Sequence, residues 1–102
     1  MSAAHDAVEL ARRLNAAAVS PAATRQVAAV VRTAGATAVA RLGDQLLTRV
    51  EGSRVLAGGI RSRQALGEDD GEIRAWLRSV ADAQEVVGAR SAPVTDAERE
   101  AP

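Results

Sequence analysis

Apolar positions along the chain recur at three- and four-residue spacing, and almost nowhere at the spacing of two that a half-buried strand requires. Leu10, Leu14 and Ala17 share one face of a segment over 6–18, with Asp6 placed to cap it. Ser20-Pro21 marks a second start. Ser is a preferred N-cap, and Pro suits the first helical position because its missing N–H would have no helical acceptor there. Two apolar faces follow. Val27, Val30, Val31 and Ala34 form the first, and Val39, Leu42, Leu46 and Val50 the second. They are offset by roughly a third of a turn, with Gly35 at the junction. The pattern predicts a long central helix over 21–56 that is kinked at Gly35, or broken there with Thr37 capping a new helix. Unbroken it would reach about 54 Å. A single Gly costs only about 1 kcal/mol against Ala inside a helix, which favours the continuous, bent form.

Gly52 and Gly58-Gly59 read as breakers, so that Leu56 to Ile60 ends the helical region and opens a connection. Residues 47–56 carry a second reading, a hairpin turning at Glu51-Gly52-Ser53. Gly67 to Gly71 reads as a loop before the clearest helix of the chain, 71–88. There Ile73, Trp76, Leu77, Val80, Gln84 and Val87 follow the helical repeat, Asp69 and Asp70 supply a cap, and Gly88 ends the element. Ser91 to Pro102 holds Pro and charge with almost no large apolar side chain and reads as a disordered tail. The expected fold is all-α: one domain over 1–90, with three or four amphipathic helices in a small bundle or an extended helical hairpin.

Composition changes this picture in one respect. Of the apolar residues, 24 are Ala and only 24 are larger, among them one Trp and no Phe or Tyr. A chain with so little bulk is expected to be a marginal monomer that gains from self-association or a partner. Thirteen Arg and no Lys give the signature of a GC-rich genome, such as that of a high-GC bacterium or its phage. The formal charge is zero, yet residues 1–63 sum to +5 and residues 64–102 to −5. Either the two halves lie against each other, or they face a partner of mixed charge. No apolar run approaches the length a membrane span needs. The N-terminus lacks the basic and apolar regions of a secretion signal, so a cytoplasmic location is expected.

Candidate chemistry is sparse. With no Cys and a single His, His5, the chain has few groups for catalysis or metal binding. Glu68-Asp69-Asp70-Gly71-Glu72 lacks the alternating ligand spacing of a calcium loop, and a helix N-terminus accounts for its acids. Arg49, Arg54, Arg61 and Arg63 stand beside flexible Gly, the makings of an anion site, but without any phosphate-loop signature. The stretch Thr33 to Leu42 allows a helix-turn-helix reading, in which Gly35 makes the turn and Thr37 to Val50 forms a recognition helix carrying Arg41, Gln45 and Arg49 to DNA. In size, helicity, absence of Cys and a lone Trp, the chain is similar to the small helical-hairpin W-x-G proteins of type VII secretion. It departs from them where Trp76 is followed by Leu77-Arg78 rather than x-Gly.

The sequence therefore points to a non-catalytic helical protein–protein interaction or assembly module, acting as a homo-oligomer or as a small subunit of a larger complex. It calls for no cofactor or metal. The interface candidates are Val39, Leu42, Leu46 and Val50, with Ile73, Trp76, Leu77 and Val80 on the last helix. A DNA-binding regulator is the principal alternative.

Overall fold

Ser20 caps the second helix as its sequence implies, accepting the Ala23 N–H on its hydroxyl at 3.1 Å, with Pro21 in the first turn. In the computed structural model, which describes the backbone of residues 3–91 and side chains within 6–88, five α-helices form. They are α1 (Ala3–Ala16), α2 (Pro21–Ala34), α3 (Ala36–Arg41), α4 (Val50–Ala65) and α5 (Asp70–Ser91). A 3-10 turn, Gly43–Gln45, lies between α3 and α4. The fold is an all-α bundle, and none of the described helices is long and apolar enough to cross a membrane. The expected tail, 92–102, lies outside the described residues.

The bundle is organised around α5, against which α1 and α2 pack along their lengths. Ile73, Leu77 and Val80 of α5 are fully enclosed, together with Leu14 of α1, Val31 of α2, Val39 of α3, and Leu56 and Ile60 of α4. Each such side chain contributes on the order of 2 kcal/mol of burial free energy. One polar side chain joins them. Gln84 donates to the Val19 carbonyl at 2.8 Å and to Asn15 Oδ1 at 3.2 Å, and accepts from the Thr24 hydroxyl at 2.5 Å. Both of its amide N–H groups and its amide oxygen are thereby engaged, tying α5 to α2, to α1 and to the turn after α1.

The continuous helix over 21–56 does not form. Gly35 sits at φ +89°, ψ 152°, a conformation that only Gly adopts readily. The chain restarts at Ala36, whose N–H donates to Asp70 Oδ1 at 3.1 Å. Asp70 thus caps α3 across the bundle, while Asp69 and Glu72 form a reciprocal capping box on α5. A second interruption follows at Gly43, so the region yields three helices and raises the total to five.

The glycines read as breakers lie inside helices. Gly52, Gly58 and Gly59 belong to α4, and Gly88 to α5. Residues 47–56 form no hairpin: Ser53 holds the preceding bend by accepting the Leu47 N–H at 2.7 Å, and α4 proceeds from Val50. Gly52 is there because another segment needs the space, since a Cβ on it would lie 2.3 Å from Val19 Cγ2. Tertiary approach has overridden local propensity.

Candidate functional site

Helix α4 runs antiparallel to α1. Arg63 meets Asp6, Gly59 lies under Leu10, and Gly52 under Val19. Between them runs a cleft of about 580 Å³. Its α4 wall is Arg54, Val55, Gly58, Gly59, Ser62, Arg63, Ala65 and Leu66, and its α1 wall is Asp6, Glu9, Leu10 and Arg13. Trp76 of α5 closes the floor.

One end of the cleft is set by the way α4 stops. Gly67 takes φ +85° after the last turn, and the Gly67 and Glu68 amides return to the Gln64 and Arg63 carbonyls at 2.9 and 3.2 Å. This Schellman ending turns Glu68 back on its own helix, where its carboxylate bonds the Arg63 guanidinium. Asp6 takes the other edge at 2.9 Å. Arg63 is buried, and its guanidinium carbon stands 5.1 Å above the Trp76 ring. Bonding to Glu68 raises its pKa, although burial alone would lower it, so the cation is held charged in the interior. Two donors on this assembly, Arg63 Nε–H and Trp76 Nε1–H, are buried without an acceptor among the described residues.

The rest of the lining differs in character. A Cβ at Gly59 would stand 3.1 Å from both Leu10 Cδ2 and Trp76 Cη2, so a small residue is needed there for Trp76 to seat. At Gly58 a Cβ would meet nothing within 4 Å. That glycine faces open space in the cleft. Leu66, on the rim, is 69% exposed. Arg13 and Arg54 stand at the far end, Arg54 attended only loosely by Asp44 at 3.9 Å.

No family model, curated protein or solved structure matches this chain.

The residues singled out from sequence separate into two groups. Val39, Ile73, Leu77 and Val80 are fully buried within the chain, and Trp76 nearly so. Leu46 is partly buried against the core, whereas Leu42 and Val50 are exposed. The four positions from Val39 to Val50 do not share a helix face, because α3 ends at Arg41 and α4 starts at Val50. The same breaks remove the recognition helix. Arg41 ends α3, Gln45 ends the 3-10 turn and Arg49 immediately precedes α4, so the three do not share an element. The arginines at 49, 54, 61 and 63 sit on or at the start of a regular helix, not a flexible connection. Arg61 is engaged there with the Ala40 carbonyl at 2.7 Å. Each acid from 68 to 72 has an intramolecular hydrogen-bond partner.

Sequence reasoning missed Leu10, Gly58, Arg63 and Leu66 as members of one site. The pairing of α1 with α4 joins residues some 50 apart, and no local periodicity encodes it. One signal was present: two adjacent glycines in a stretch otherwise patterned as helix, which mark a close approach when they do not mark an end.

Proposed function

We propose that the protein is a non-catalytic helical interaction module, working as a homo-oligomer or as a small subunit of a larger complex, and that the cleft between α1 and α4 seats the partner. The observation that carries this reading is the open space above Gly58 in mid-helix. A glycine there costs the helix about 1 kcal/mol against Ala, and no neighbour among the described residues requires it. Two turns along the same wall, about 12 Å away, stands Leu66, with 69% of its surface uncovered. An apolar rim next to unfilled space is what a docking surface presents before its partner arrives. The lining offers packing surface and charge, and among the described residues no nucleophile hydrogen-bonded to a base.

Site-specific photo-crosslinking in the source cells tests the proposal. A photoreactive residue at Leu66 should give a discrete adduct, and the same residue at exposed Arg32 on α2 should not. Equal labelling from both positions, or none from Leu66, would count against the cleft as the seat of a partner.

A further inference from the structure

Resting on the interaction-module reading, we propose that the occupant of the cleft is an amphipathic helix of a partner protein, a little over three turns long, with carboxylates in its C-terminal turn. The shape comes from the walls. The α4 wall advances from Arg54 through Gly58 and Ser62 to Leu66, one position per turn, and the α1 wall from Asp6 through Leu10 to Arg13. Two antiparallel helices lined at this repeat form a groove that takes the side-chain ridge of a third helix. From Arg54 to Leu66 the groove is about 18 Å long, matching a helix of about 12 residues. An extended segment would lay unpaired backbone N–H and C=O groups against Leu10, Val55 and Leu66, a cost that a helix avoids. Gly58 fixes the register, since its missing side chain leaves room for one bulky apolar residue of the occupant, one turn in from the Arg54 end.

Charge fixes the direction. One end of the groove presents Arg13 and Arg54; Arg13 has no ion pair among the described residues, and Arg54 has only the loose one to Asp44. The other end holds Arg63 between Asp6 and Glu68, a cluster of net charge −1, with Glu9 between the two ends. A helix laid with its C-terminus toward Arg13 and Arg54 places the negative end of its dipole there, and its N-terminus near Asp6 and Glu68. Carboxylates in its last turn complete the match.

Two synthetic Trp-free helical peptides test this, identical in their Leu stripe and differing only in Glu or Lys at the last turn. Trp76, the only Trp in the chain, reports occupancy by its emission. The Glu-ended peptide should bind roughly tenfold tighter than the Lys-ended one, a difference of about 1.4 kcal/mol. The double variant R13E/R54E should invert that order, and G58L, with unchanged circular dichroism, should bind neither. Equal affinities, left unaltered by the double variant, would overturn the charged-end assignment while G58L sensitivity upheld the cleft as a docking surface. Binding of neither peptide would overturn the helical occupant, leaving the crosslink from Leu66 to judge the interaction module separately. A Leu66 adduct with a second copy of this chain would replace the partner helix with a homodimer and also overturn the inference.

Discussion

Ala18 is the only non-glycine at positive φ among the described residues, at +61°. It occupies the left-handed position that ends α1, with the Ala18 and Val19 amides bonding back to the Asn15 and Leu14 carbonyls. Ala18→Gly should therefore stabilise the fold by about 1 kcal/mol, read from urea unfolding, because it relieves the Cβ strain. At Gln84 the reverse holds. Gln84→Leu removes the partners of the Val19 carbonyl and the Thr24 hydroxyl while keeping the bulk, and should cost about 2 kcal/mol by the same measurement. The apolar stripe 73–80 places Gln84 on the buried face from sequence alone. Its acceptor and donor partners are hidden there, because Thr24 lies 60 positions away. Arg63 is likewise indistinguishable from Arg61 until Asp6 is brought across from α1.

At the scale of elements, the glycines of α4 divide by what they face. Gly52→Ala drives a methyl into Val19 and should destabilise by about 1–3 kcal/mol. Gly58→Ala enters open space and should stabilise by about 1 kcal/mol through helix propensity. Thermal unfolding of the two variants beside the parent checks both signs; equal losses would mean that Gly58 faces packed structure. The contrast also shows what was legible. The starts of α2 and α5 follow from Ser20-Pro21 and from Asp69 with Glu72, because capping is local chemistry. The course of 35–66 was not legible. Gly35 ends a helix through its backbone angles, whereas Gly52 and Gly59 sit within one because Val19, Leu10 and Trp76 press on them. The same residue type serves opposite ends, and only the packing partner decides which.

Across the whole molecule, much of the opposite charge of the two halves is met internally. Arg25 of α2 bonds Glu85 and Asp82 of α5 at 2.7 and 2.8 Å, and Arg63 bonds Glu68. The exposed Arg25 pairs contribute little to stability. The buried Arg63 cluster matters more: Asp6→Ala removes one hydrogen-bonded partner of an enclosed cation that keeps Glu68, and should cost about 1–2 kcal/mol. Most of the apolar residues marked as interface candidates are consumed by the fold itself, including Val39, Ile73, Leu77 and Val80. Leu42 and Val50 stay exposed outside the core, and the rim and floor of the α1–α4 cleft are the surface we propose for contact with another molecule. Native mass measurement of the protein from its source, run beside Gly58→Leu, tests this most directly. The parent should weigh more than one chain, and Gly58→Leu should stay folded but fall to the mass of a single chain. A parent that is one chain alone, or a variant that keeps the same assembly, would contradict it.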